Sequence, residues 1–407
     1  MSGALSHLKV LDLSRILAGP WATQQLADLG ADVIKVERPG AGDDTRSWGP
    51  PFLKDKDGRE TTDSGYYLCC NRNKRSVTID ITQPEGQDLV RALSAQSDVL
   101  VENFKVGGLR QYGLDYDTLH KLNPRLVYCS ITGFGQTGPY APRSGYDFLI
   151  QGMGGLMSVT GRRDGEEGAG PMKVGVALTD ILTGLFAATA ILAAVAQRDT
   201  SGMGQHIDLS LLDVQIACLA NQAMNYLYSG QAPGRLGNAH PNIVPYQDFP
   251  TLDGHMILAI GNDGQFAKFC AAAGHPEWAA DVRYATSAAR VINRNTLIAA
   301  MRQVTVTRTT SAWMEELEAV GVPCGPINSI ADVFEDTHVK ARGAAISVPH
   351  PLGGEIPLVA NPIRLSDTPV EYRMAPPLLG QHTREVLRDV LGLDEQRILD
   401  LSGRKVV

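Results

Sequence analysis

One carboxylate in this chain stands where its neighbours in sequence offer no partner. From Val174 to Ala196 the chain reads VGVALTDILTGLFAATAILAAVA, and Asp180 is the single charge in it. Burying an unpaired carboxylate costs several kcal/mol or forces its pKa upward, so such a placement implies a use. Composition leaves two readings: a membrane span carrying a functional charge, or a buried helix holding a reactive carboxylate on the rim of a site. The run is long enough to span a bilayer. It lacks aromatic or basic anchors at its ends and is rich in Gly, Ala and Thr, so a core helix entered from a short strand fits better.

A second set of residues could hold an anion. Arg15 and Arg38 follow the first two β-like runs, Asn73-Lys74-Arg75 precedes the third, and Asn103-Phe104-Lys105 follows the fourth. In a parallel sheet the carboxyl ends of the strands form one rim, where ligands bind. Arg and Lys there can pair with phosphates, and Phe104 can pack on an adenine ring. Glycine-rich turns at 133–139 (GFGQTGP) and 151–155 (QGMGG) permit close backbone approach or a mobile flap. His240 lies in a Gly/Asn/Pro loop, where binding residues concentrate.

Other chemistries find no support. Glu37 closes the second β-like run, but the preceding turn, SRILAGPW, has one glycine where a dinucleotide fingerprint needs three. The sequence contains no Walker A, G-x-S-x-G or H-E-x-x-H motif, and no histidine pair at i, i+4. No metal site is expected.

These residues need elements to position them. LKVLDLS, ADVIKVE, SVTIDI, DVLVENF and RLVYCSITGFG read as strands separated by helical patterns, beginning with a helix from Pro20 to Leu29. Such alternation predicts a parallel sheet covered by helices. QHIDLSL and the helical LLDVQIACLANQAMNYLYSG follow the long apolar run. The expected organisation is α/β: a large Rossmann-like domain from residues 1–225 and 331–407, with a smaller α+β domain at 226–330. The 407 residues are 43% hydrophobic and 20% charged, with formal net charge -7, which disfavours non-specific contact with nucleic acid or anionic membrane. Six scattered cysteines and an N-terminal stretch without a secretory pattern predict a reducing, cytoplasmic setting.

Six blocks in order carry a resemblance: 11–46, NRNKRSVTIDI (71–81), DVLVENF (98–104), ALTDILTG around Asp180, GVPCGPIN (321–328) and PPLLGQHTREVL (376–387). Together they resemble the class III CoA-transferase (CaiB/BaiF) family, which includes formyl-CoA transferases, carnitine CoA-transferases and α-methylacyl-CoA racemases. The resemblance implies an interlocked homodimer that binds coenzyme A as a substrate and needs no metal or redox cofactor. It implies Asp180 as a nucleophile that passes through anhydride and aspartyl-CoA thioester intermediates. Coenzyme A contacts are implied at Arg15, Ile16, Ala18, Arg38, Asn73, Lys74, Arg75, Asn103, Phe104 and either Lys105 or Arg110. Backbone amides from Gly152 to Gly155 are candidates for stabilising an oxyanion.

The blocks RLGNAHPNIVPYQDF (235–249) and GDDTRSWGPP (42–51) look closest to the succinate–hydroxymethylglutarate branch. A succinyl-CoA donor and a dicarboxylate acceptor of the glutarate, hydroxymethylglutarate, itaconate or malate type are therefore expected. Arg46 and His240 are the candidates for its distal carboxylate, with Gln151 and Gly154 also on the substrate side. A formyl-CoA/oxalate-type transferase and a non-catalytic acyl-CoA-binding protein remain as alternatives. So does the racemase branch, though it uses a histidine before an aspartate where this chain has Tyr146-Asp147.

Overall fold

The computed structural model describes residues 3–407. The chain divides into two units: one holds the chain up to Leu156, Val174–Leu227 and Lys340–Val407, the other Met157–Lys173 and Tyr228–Val339.

The first unit is built on six strands, β1 (Lys9–Asp12), β2 (Asp32–Glu37), β3 (Lys74–Thr78), β4 (Val99–Glu102), β5 (Val127–Thr132) and β6 (His206–Ser210). All five pairings are parallel and the order is β3-β2-β1-β4-β5-β6. This is the doubly wound Rossmann order, in which the strand sequence reverses between β1 and β4. Successive side chains leave a strand on opposite faces. Val10, Val33, Val99, Val101, Val127 and Cys129 accordingly enter one apolar cluster, and Leu11, Ile34, Val36, Leu100 and Tyr128 enter the other. The second cluster also takes Val386, Leu387, Ile398 and Leu401 from the C-terminal helices Thr383–Asp389 and Glu395–Gly403.

The first face is covered by α1 (Ala18–Asp28), and the other by α2 (Pro84–Ala95) and α3 (Tyr116–Leu122). α4 (Asp147–Met153), α5 (Leu178–Ser201) and α6 (Leu211–Ala217) follow on the side of α1. The apolar run is thus a helix packed on α1. It is long and apolar enough to cross a bilayer, yet half of its most apolar stretch is buried within the unit. Its buried positions, Thr179, Asp180, Thr183, Gly184, Ala187, Ala188, Ile191, Ala194, Val195 and Arg198, fall at helical spacing. Gly184 lets the helices touch, because a Cβ there would lie 2.7 Å from the Ala18 carbonyl oxygen. The single helix expected after β6 is two, α6 and Ala220–Ser229, broken by Ala220 at φ 45°.

Strand parity also puts charges inside. Asp12, Lys35, Glu37, Lys74 and Ser76 share the α1 face at the β1–β3 end of the sheet, and all are buried. Lys35 Nζ donates to Asp43 Oδ2 and to the Ser14 carbonyl, each at 2.9 Å. Asp43 Oδ1 accepts the Ile16 N–H at 3.3 Å. Burial alone pushes the Lys35 ammonium down, but Asp43, Asp12 and Glu37 outweigh it and hold its pKa above the ordinary value.

The second unit has a three-stranded antiparallel sheet, Cys324–Pro326, His255–Ala259 and Tyr246–Pro250, backed by helices such as Asp263–Ala272 and Thr310–Ala319. Its core includes Phe249, Phe266, Phe269 and Trp313. The segment 157–173, assigned from sequence to the large domain, belongs to this unit. Asp164 accepts the Arg235 N–H at 3.0 Å, and Arg163 donates to Asn295 Oδ1 at 3.0 Å.

Replacing Lys35 by Met leaves Asp43 buried without its countercharge. The expected loss is about 3–5 kcal/mol in chemical denaturation, with part recovered by adding Asp43→Asn.

Candidate active site

A cleft of about 820 Å³ opens at the carboxyl ends of β1, β2, β4 and β5. It lies across the point where the strand order reverses, the usual ligand position in such sheets. The turn after β1 brings Arg15, Ile16, Leu17 and Ala18 to it; β2 brings Arg38, β4 brings Asn103, Phe104 and Lys105, and the first turn of α5 brings Asp180. Ile16 has φ 73°, a left-handed conformation that a β-branched residue adopts only under constraint. The constraint is the Asp43 hydrogen bond and a reciprocal pair: Arg15 N–H donates to Asn103 Oδ1 at 2.9 Å, and Asn103 Nδ2 donates to the Arg15 carbonyl at 2.7 Å. The Arg15 guanidinium lies 5.7 Å from the centre of the Phe104 ring and pairs with Asp44 at 2.8 Å.

Asp180 is 8% exposed, and among the described residues no side-chain donor bonds its carboxylate. Burial first, and the nearby Asp147 carboxylate second, push its pKa up to about 7. Asp147 has a separate task. Its Oδ1 accepts the N–H groups of Thr179 at 2.8 Å and Asp180 at 3.3 Å, capping α5 from another helix. Gln151 Nε2 holds Asp147 Oδ2 at 2.7 Å, and Gln151 Oε1 accepts the Val174 N–H at 2.9 Å. Tyr66 also stands near Asp180. Burial, then the Asp180 charge, raises its phenol above the ordinary value, so it stays a proton donor. Trp48, at the cleft wall, meets the Tyr66 ring edge-to-face at 5.3 Å.

Several expected contacts lie elsewhere. Asn73, Lys74 and Arg75 open β3 and sit towards the amino end of the sheet, away from the rim. Asn73 bonds Asp28, Lys74 is fully buried against Asp12, and Arg75 pairs with Asp32 and Glu385. Arg110 faces Asp115 and Asp117 at 3.9 Å and does not line the cleft, whereas Lys105 does. Arg46 is consumed internally: it grips Glu37 through two bonds of 2.8 Å, Asp63 at 2.6 Å and the Tyr67 hydroxyl at 2.6 Å. Four of its five N–H groups are spent in this way, and the side chain is 5% exposed and does not line the cleft. His240 belongs to the second unit, and burial, then Arg294, lowers its pKa, so it supplies no cation at neutral pH. Gln151 supports Asp147 rather than lining the cleft. Gly154 packs on Gln215 and spends its N–H on the Ile150 carbonyl at 2.7 Å, so that amide is unavailable to an oxyanion. Among the described residues no cluster of His, Cys, Asp or Glu could hold a metal ion.

The roles of Asp147 and Tyr66 escaped the sequence reading. The legible signal for Asp147 was its place at the start of a short helix behind a glycine-rich loop. Nothing in GYYL distinguished Tyr66 from an ordinary core tyrosine.

Residues 5–383 match the family model described as CoA-transferase family III. The chain is 53% identical to a succinate–glutarate CoA-transferase of Agrobacterium fabrum, over 95% of each chain. It is 44% identical to the succinyl-CoA:glutarate CoA-transferase of Homo sapiens, over 99% of this chain and 90% of that one. Its fold matches the crystal structure of a CAIB/BAIF family protein from Brucella suis with a TM-score of 0.83 and 50% identity, covering 96% of this chain and 100% of that one.

Because the folded pKa of Asp180 is raised, its ionised form opposes folding above about pH 7, and that penalty vanishes as pH falls to its unfolded value near 4. Asp180→Asn is therefore expected to melt several degrees above the parent at pH 8 and level with it near pH 4. Equal melting temperatures at pH 8 would contradict the burial argument.

Proposed function

The chain belongs to CoA-transferase family III and is a CoA-transferase, and from that premise we propose that it carries CoA from succinyl-CoA to a dicarboxylic acid of the glutarate type through Asp180. The donor and acceptor are taken from the relatives, among which succinate or succinyl-CoA with glutarate recurs at 44–53% identity. The observation that carries the mechanism is Asp180 itself: a buried carboxylate at the cleft that, among the described residues, no side chain hydrogen-bonds and no metal-binding cluster accompanies.

In the proposed reaction, an Asp180 oxygen attacks the thioester carbonyl of the donor. CoA leaves as thiolate and a mixed anhydride forms. The thiolate then attacks the Asp180 carbonyl carbon, releasing the donor carboxylate and leaving an aspartyl-CoA thioester. The acceptor carboxylate attacks that thioester, and the thiolate leaves again. Finally the thiolate attacks the acyl carbon of the acceptor, which departs as its CoA ester and restores Asp180. No proton is gained or lost, so the step needs no general base, and a water-poor pocket protects the anhydride. Arg15, Arg38 and Lys105 supply positive charge for CoA phosphates at the rim, with Phe104 beside them for the adenine.

We also propose a homodimer. Phe148, Leu149 and Met153 of α4, Leu185 and Phe186 of α5 and Ile216 of α6 are 39–59% exposed on helices that pack together. An apolar surface of this kind calls for a partner, and a second copy is the proposed one.

Three measurements test these readings. Asp180→Ala is expected to lower turnover by at least about a thousandfold while CoA still binds. Incubation with succinyl-CoA followed by hydroxylamine or borohydride should mark the peptide containing Asp180, and an unmarked peptide under turnover conditions excludes the mechanism. Sedimentation at micromolar concentration should give twice the chain mass, and a monomer there rules out the homodimer.

A further inference from the structure

We propose that Arg143 selects dicarboxylates, its guanidinium receiving the distal carboxylate of the acid whose near carboxylate reacts at Asp180. This deepens the function above and rests on it. A dicarboxylate bound end-on needs a cation for the end that does not react, and neither Arg46 nor His240 supplies one. Four cationic side chains line the cleft: Arg15, Arg38, Lys105 and Arg143. Arg15 is held by Asp44 at 2.8 Å. Arg38 and Lys105 follow β2 and β4. Arg143 alone belongs to a loop tied to the nucleophile.

That loop leaves β5 at Gly133 and returns at Gly145, where its two ends touch. A Cβ on Gly133 would lie 2.5 Å from the Gly145 Cα, so only glycines allow the closure. Two residues beyond Gly145 stands Asp147, whose carboxylate accepts the N–H groups of Thr179 and Asp180. The loop is therefore anchored on the helix turn that carries Asp180.

Its two arms are ordered by stacking. The Arg143 guanidinium carbon lies 5.0 Å from the centre of the Phe134 ring and 4.5 Å from that of Tyr140. These rings meet edge-to-face at 5.6 Å, and Phe134 is buried in the apolar cluster of α1. The backbone N–H of Arg143 donates to the Tyr140 carbonyl at 2.9 Å. Stacking occupies the faces of a guanidinium and leaves its N–H edges for a carboxylate. Among the described residues those edges meet no carboxylate; the one contact is with Met153 Sδ at 3.8 Å.

The test compares glutarate with valerate, an acid of equal carbon number that lacks the second carboxylate, with succinyl-CoA as donor to both. In a two-stage exchange, kcat/KM for the acceptor reports the acceptor half alone, so effects on the donor cancel in the ratio. Arg143→Gln is expected to lower the glutarate/valerate ratio of kcat/KM by roughly 10- to 100-fold, the scale of a hydrogen-bonded charge pair. Arg143→Lys, a point charge without the bidentate fork, should lower it less. If the glutamine variant does not accumulate as folded protein, the lysine variant decides by the same ratio. An unchanged ratio in an enzyme that still passes CoA to glutarate overturns the role of Arg143. An unsubstituted enzyme that serves valerate as readily as glutarate overturns instead the function on which the inference rests.

Discussion

The ion pair between Lys35 and Asp43, both side chains wholly buried, is the constraint on which the cleft depends. Lys35 holds the Ser14 carbonyl and Asp43 holds the Ile16 N–H, so one pair grips both sides of the turn leaving β1. Asp43 is itself fixed, its N–H donating to Glu37 Oε1 at 3.0 Å, and Glu37 is clamped by Arg46 and Ser76. A left-handed isoleucine costs on the order of 1–3 kcal/mol and persists only when its surroundings over-determine it. Here they do. Ionic groups in a core contribute little net stability against apolar replacements of the same shape. What this network contributes is a defined backbone path at the point where the sheet reverses order.

At Asp180, opposing effects meet in one helical turn. The amino end of a helix favours an anion, while burial and the Asp147 charge disfavour it, and the balance falls near neutrality. Asp147 both raises the pKa of its neighbour and occupies the Thr179 and Asp180 N–H groups that would otherwise stabilise the anion. The result is a carboxylate less solvated than an ordinary surface aspartate. Tyr66, held protonated beside it, is a donor that takes part in no proton balance.

Much of this was legible in the chain. Strand–helix alternation in the first third specified the parallel sheet, and the lone charge in the run 174–196 marked Asp180, because burial energetics restrict where a carboxylate sits. Arg15, Arg38, Asn103, Phe104 and Lys105 fall at the cleft because they follow strands and so share the carboxyl rim. Asn73, Lys74 and Arg75 misled for the same geometric reason: they stand at the amino end of their strand, opposite the rim. Arg46 misled differently, since its partners Glu37, Asp63 and Tyr67 are brought together by folding and not by spacing. Segment 157–173 reads as a charged, glycine-rich loop (GRRDGEEGAG), and its composition does not say which unit it joins. Its contacts with Arg235 and Asn295 are what place it in the second.

The glycine closure at Gly133 and Gly145 has an evolutionary consequence. A loop pinched at its base transmits little of what happens beyond it, so residues 137–144 can change while Phe134 stays in the apolar cluster and the cap on the helix of Asp180 stays in register. If Arg143 reads the acceptor as proposed, new acceptors become reachable by small steps that leave the helix turn of Asp180 undisturbed. The two glycines are the price of that freedom: a side chain at either would force the pinch apart.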